Sequence, residues 1–273
     1  MERKNAWKEY TEAENSELEK LNESYRKFLD AGKTERECVK QAVAMAEAAG
    51  YLDLKKVIEE GKQVKAGDKL YAVNMKKSLA LFQIGKQPLE KGMAILGAHI
   101  DSPRLDIKQN PLYEDTELAY LDTHYYGGIK KYQWVTLPLA IHGVIAKKDG
   151  TIVDVCIGED ENDPVFCVTD LLPHLAQKEV TKTVADAFDA EKLNVIMGHS
   201  PLPSASDTDE TAKEQKDPVR ANILALLNRK YGIREEDLMS AELQAVPAGP
   251  ARYVGLDAAL IGGYGQDDRV CAY

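Results

Sequence analysis

Met93-Ala94-Ile95-Leu96-Gly97-Ala98-His99-Ile100-Asp101-Ser102-Pro103 is the stretch on which the fold turns. Its first six residues carry no charge. An uninterrupted apolar run suits a strand buried on both faces of an α/β sheet, where each alternating side chain meets an apolar layer. The run stops at His99. Open α/β sheets place their ligand crevices at the C-terminal ends of strands, so His99-Ile100-Asp101 marks a candidate site. Residues i and i+2 of a strand share a face, which puts the His99 imidazole beside the Asp101 carboxylate. Such a pair is either a metal ligand with its orienting acid or a structural hydrogen-bonded pair, and the spacing is compatible with both.

Toward the N-terminus the pattern is helical. Leu18, Leu21, Tyr25, Phe28 and Leu29 recur at helical spacing and predict an amphipathic helix over 12–30 that ends near Gly32. Thr34-x-x-Glu37 is a capping box opening a second helix. Cys38, Val39, Ala42, Val43 and Ala46 form its apolar face, and Gly50 is a C′ stop. A turn at Gly67-Asp68 and short β-prone runs at Leu70–Val73 and Leu79–Phe82 follow.

Beyond Arg104 the texture becomes β. Trp134–Leu137 and Ala140–Ile145 read as strands, and Asp149-Gly150 before Thr151–Ile157 is a hairpin signal. Residues 199–216, rich in Ser, Pro, Thr and acid, read as an exposed loop. Asp217-Pro218 predicts a capped helix start with Pro at its first position. Ile223, Leu226, Leu227 and Tyr231 face inward along that helix, and Gly232 stops it. The expected fold class is therefore α/β. Residues 1–104 form the first part of one α/β domain, 105–255 a mainly β insertion, and 256–273 the return to the first domain.

Composition narrows the function. The formal net charge is −10, which argues against nucleic acid as a partner, because phosphates reward a basic surface. No run of roughly 18 apolar residues exists, so no membrane span is expected. Residues 1–5 lead into polar sequence without the apolar core of a secretory signal, and a cytoplasmic location follows as an expectation. Cys38, Cys156, Cys167 and Cys271 are irregularly spaced and form no Cys-x-x-Cys pair, so a structural zinc ribbon is not expected.

A second candidate site lies at Gly265-Gln266-Asp267-Asp268-Arg269. Adjacent carboxylates repel unless a cation or hydrogen bonds hold them. One reading is an exposed acidic turn neutralised by Arg269. The other is a carboxylate bridging two metal ions.

Taken together the motifs resemble the aspartyl aminopeptidase family, cytosolic metallopeptidases with a two-zinc site. The resemblance runs in order along essentially the whole chain. It is carried by Gly97-Ala98-His99-Ile100-Asp101-Ser102-Pro103, Tyr125-Tyr126-Gly127-Gly128-Ile129, Leu171-Leu172-Pro173-His174-Leu175 and Gln266-Asp267-Asp268-Arg269. It implies a metallopeptidase catalytic sheet with flanking helices, incomplete at its C-terminal end and interrupted by the β insertion. It implies that His99 binds zinc, that Asp101 orients His99, and that Asp267 bridges two zinc ions with a cis peptide after it. It further implies that His174 reaches a neighbouring subunit's active site. Many relatives carry Asn where this chain has Asp268. Zinc is the implied metal; cobalt and manganese also suit a His and carboxylate donor set.

The implied reaction is hydrolytic release of an N-terminal residue, acidic by the family name, from a peptide substrate by metal-activated water. The implied assembly is a large homo-oligomer built through the insertion. The general-base Glu and the remaining metal ligands would lie beyond the aspartate pair, and the chain stops at Tyr273. The expectation is that this chain is either part of a longer enzyme or a subunit that needs a second chain, and that it is inactive alone. The competing readings are a non-catalytic assembly or binding module on the same fold, and a domain that binds no metal.

Overall fold

Two threonines start the helical part of the chain. A computed structural model describes residues 4–202 and 216–273, which divide into two units: residues up to Ser102 together with Pro250–Tyr273, and Pro103–Gly249. Residues 1–3, and most of the loop expected over 199–216, lie outside the described residues.

In the first unit, Thr11 caps helix α1 (Glu12–Ala31) and Thr34 caps helix α2 (Glu35–Ala48), each in a reciprocal capping box. The Thr34 hydroxyl accepts from the Glu37 amide at 3.3 Å, and the Glu37 carboxylate accepts from the Thr34 amide at 2.9 Å. Two first-turn donors that would otherwise need water are satisfied this way. Tyr25, Phe28 and Leu29 of α1 are buried, as are Cys38, Val39 and Ala46 of α2. Leu21, expected on the same face, is instead exposed. Gly50 stops α2 in the left-handed conformation (φ 85°).

Strand β1 (Leu52–Asp53) and helix α3 (Leu54–Glu59) lead to the hairpin β2 (Lys69–Asn74) and β3 (Ser78–Gln83). Their sheet has the order β1-β2-β3, with the first pair parallel and the second antiparallel.

The strand expected over Met93–Ala98 does not form. Residues 92–103 are irregular and mostly exposed, with Leu96 fully so. An extended backbone becomes a strand only when a neighbour takes its N–H and C=O groups. Among the described residues nothing pairs with this stretch.

The second unit is built on six antiparallel strands. They are β4 (Arg104–Asp115), β5 (Leu118–Tyr126), β6 (Leu139–Ala146), β7 (Ile152–Ile157), β8 (Val195–Gly198) and β9 (Ala241–Pro247), in the order β7-β6-β9-β4-β5-β8. A short helix α4 (Val184–Ala187) precedes β8, and α5 (Pro218–Tyr231) follows it. Leu105, Leu121, Leu139, Ile141, Ile145, Val195 and Ala245 fill one core with Val219 and Ile223 of α5. Each fully buried Leu, Ile or Val stabilises the unit by about 1.5–3 kcal/mol relative to exposure. β6 and β7 form the hairpin expected around Asp149-Gly150, with Ala146 opposite Ile152.

Other expectations fail locally. Trp134–Leu137 makes only an isolated bridge, Val135 to Val168. Pro218 occupies the first turn of α5, yet Asp217 adopts φ 57° and its side chain makes no cap. The opposite face of β6 carries His142, buried and facing Glu159 Oε1 at 2.9 Å. The chain then returns to the first unit through the pair β10 (Arg252–Val254) and β11 (Leu260–Gly262) and the short helical segment α6 (Gln266–Ala272).

Gly143 is where the sheet of the second unit is least tolerant. It has φ 143°, and a Cβ there would lie 1.9 Å from the Glu242 carbonyl oxygen on the adjoining strand β9. We expect Gly143→Ala to destabilise the unit by about 3 kcal/mol or more, read as a lower urea midpoint by circular dichroism. An unchanged midpoint would contradict the close approach of β6 and β9.

Candidate metal centre

His99, Asp101 and Asp267, two of them 166–168 residues from the third in sequence, come together in the first unit. His99 Nδ1 lies 3.1 Å from Asp101 Oδ1 and 3.2 Å from the Asp101 carbonyl oxygen. Both oxygens can only accept, which favours a proton on Nδ1; in the neutral ring of that tautomer Nε2 is the nitrogen left to ligate a metal ion. That nitrogen lies 3.5 Å from Asp267 Oδ1. The arrangement has the form of a metal-binding histidine oriented by a carboxylate.

The donor set fits zinc. Two ligands at zinc's usual bond lengths and tetrahedral angle stand about 3.4 Å apart, close to the observed separation. The Asp267 side chain is 95% exposed and the His99 side chain 54% exposed, so both are open to a cation. Two ligands do not complete a site that takes about four. Among the described residues no group of three or more His, Cys, Asp or Glu side chains is placed to hold a metal ion.

Electrostatics at the pair oppose one another. Desolvation pulls the His99 pKa down. The Asp101 carbonyl, the Asp101 carboxylate and the Asp268 charge together outweigh it, and the imidazole stands above its ordinary value. At Cys271, a hydrogen bond to Asp268, then burial, then the Asp268 and Asp267 charges push the thiol up. Asp268 thus acts on both neighbours as a negative charge beside the candidate ligand.

The Asp267–Asp268 peptide is cis, as the family resemblance implied. Arg269 corrects one sequence reading. It does not neutralise an acidic turn at the surface but is buried, donating to the Ile100 carbonyl at 3.0 Å and to the Lys33 carbonyl at 2.9 Å. Ser102, also buried, donates to the Asp267 carbonyl at 3.0 Å. The sequence pattern gives Arg269 only the role of a counter-ion and Ser102 none. The available signal was their position, each flanking a candidate ligand within a quoted motif. His174 belongs to the second unit, where it sits on an exposed turn.

Comparison with known proteins agrees with the motifs. Residues 28–273 match the family described as aminopeptidase I zinc metalloprotease (M18). A probable M18 family aminopeptidase 1 from Clostridium acetobutylicum is 55% identical over 272 residues, covering 100% of this chain and 57% of the relative. The crystal structure of an M18 family aminopeptidase from Thermotoga maritima superposes with a TM-score of 0.89 at 43% identity, covering 100% of this chain and 56% of that one. The yeast mApe1 dodecamer shares the fold at 18% identity, with a TM-score of 0.66 over 94% of this chain and 54% of that one. The fold and these matches place the chain among the zinc metallopeptidases. It belongs to the M18 family, and it spans a little over half the length of the relatives it matches.

The geometry makes a direct prediction. In metal-free protein, NMR titration of His99 should give a pKa above the ordinary value of about 6.5. Asp101→Asn removes a negative charge that favours the protonated ring, so it should move the midpoint downward. An unmoved midpoint would break the His99–Asp101 pairing.

Proposed function

We propose that the protein is a zinc aminopeptidase in which His99 and Asp267 are metal ligands and Asp101 is the residue that orients His99. The observation that carries this reading is the His99 ring itself: Nδ1 is fixed by Asp101 while Nε2 is turned toward Asp267. A bound pair of zinc ions supplies Lewis acidity and a water whose pKa is lowered toward neutrality.

The chain's own residues then have distinct tasks. Asp101 holds the Nδ1 proton and so keeps Nε2 available as a donor. Asp267, with two carboxylate oxygens open to solvent, is suited to bridge two cations. Asp268 adds negative charge beside them, which favours a dication over a neutral site. His174 would serve a neighbouring copy of the protein, as a preorganised donor to the oxyanion that develops on the scissile carbonyl. Support for that role comes from the Leu171–Leu175 motif and from the dodecameric assembly of the yeast relative. In this arrangement the second unit acts as an oligomerisation insertion within the catalytic domain to which the first unit belongs.

Peptides are the substrates this reading requires. A preference for acidic N-terminal residues is supported by the likeness of the motifs to aspartyl aminopeptidases. The 273-residue chain by itself is proposed to be inactive, because His99 and Asp267 supply only part of the donors that two zinc ions need. A cytoplasmic location fits the sequence reading, and no described helix is long and apolar enough to cross a membrane.

The test is a panel of aminoacyl-p-nitroanilides assayed with zinc, on this chain and on the full-length protein. The full-length protein should cleave them, with acidic residues favoured. It should lose activity on chelation or in His99→Ala. His174→Ala should lower kcat by about 100-fold or more, the usual effect of deleting an oxyanion donor. Turnover by the 273-residue chain alone at the full-length rate would overturn the division of labour.

A further inference from the structure

Arg269 is among the most deeply buried side chains of the first unit, 1% exposed, and it is a cation. Burying a guanidinium costs several kcal/mol unless its donors and charge are matched. Arginine usually solves this with a carboxylate. Among the described residues Arg269 has none. Nε donates to the Ile100 carbonyl, one Nη donates to the Lys33 carbonyl, and the guanidinium carbon lies 5.3 Å from the centroid of the Tyr264 ring. The other terminal nitrogen, Nη1, is buried without a hydrogen-bond partner. A stability argument alone gives no reason to keep so costly a residue here.

Its partners suggest the reason. Ile100 stands between His99 and Asp101, and Arg269 stands two residues after Asp267. One side chain therefore ties the loop that carries the first candidate ligand to the turn that carries the second. The Ser102 hydroxyl makes a parallel tie to the Asp267 carbonyl. The two bonds leave the side chains of 99, 101 and 267 free to meet. Lys33, in the turn between α1 and α2, anchors the assembly to the helical layer. Space for the guanidinium comes from Gly265, where a Cβ would lie 2.0 Å from Nη1 and where φ is +82°.

We propose that Arg269, assisted by Ser102, is the positioning residue of the metal centre: it sets the spacing between His99 and Asp267 and thereby the affinity for metal. It does not touch the metal. The inference rests on His99 and Asp267 being ligands, and its test separates the two ideas.

In the full-length protein, Zn2+ affinity is measured by competition with a chromophoric chelator, and the ligand field by the visible spectrum of Co2+-loaded protein. Metal-free thermal unfolding is recorded alongside. Arg269→Lys keeps the charge but loses the fork, and should weaken Zn2+ binding about 10- to 100-fold, the range typical of residues that orient ligands. It should also alter the Co2+ spectrum. Gly265→Ala displaces the guanidinium and should act in the same direction. Ser102→Ala removes one hydroxyl and should weaken binding about 2- to 10-fold. A merely structural Arg269 would lower the metal-free Tm and leave affinity and spectrum unchanged; that result overturns the proposal. If Arg269→Lys fails to fold, Ser102→Ala decides alone, and parental affinity in it counts against the proposal. His99→Ala with unchanged Zn2+ affinity would sink the metal-site reading itself, whatever the other variants do.

Discussion

A hydrogen-bonded seam between the 99–102 loop and the 267–269 turn holds the candidate site together. The chain leaves the first unit after Ser102, builds an entire antiparallel sheet in the second, and comes back at Pro250. Two ligands so far apart in sequence have no local reason to meet. The Ser102 hydroxyl, the Arg269 guanidinium and the carbonyls they bind supply that reason. Bonds from a charged donor are about twice as strong as neutral ones, and a buried one competes with little water. Everything chemical in the first unit depends on these few contacts.

The helical layer was the most legible part of the sequence. Thr34-x-x-Glu37 and Gly50 mark a start and a stop by backbone chemistry that is local, so the signal survives without tertiary information. The Asp149-Gly150 hairpin was legible for the same reason. Met93–Ala98 was misread because hydrophobicity reports what a segment wants to bury, not whether a partner stands beside it. β4 and β5 carried the opposite difficulty. Arg104, Asp106, Lys108 and Asp122 dilute their apolar pattern, and the register shifts between Ile107 and Leu112, so no clean alternation announces them.

The site was legible in its ligands and opaque in its supports. His99 and Asp101 share a motif, and Asp267 stands out as one of a pair of acids. Arg269 looked like a counter-ion to that pair because adjacency in sequence suggested adjacency in charge. The backbone turns between Asp267 and Arg269, sending the carboxylate outward and the guanidinium inward. No rule of spacing contains that turn, and Gly265, where a Cβ would collide with Nη1, leaves room for the guanidinium it sends inward.

The exposed run Met93–Ala98 has a consequence for handling the protein. Six uncharged residues in succession, without proline and with Met93, Ile95 and Leu96 open to solvent, have the composition that stacks between molecules into cross-β structure. Lys91 on one side and His99 on the other are the nearest gatekeepers. A stretch of that composition lies next to the candidate ligands, and whatever shields it also covers the loop that carries His99.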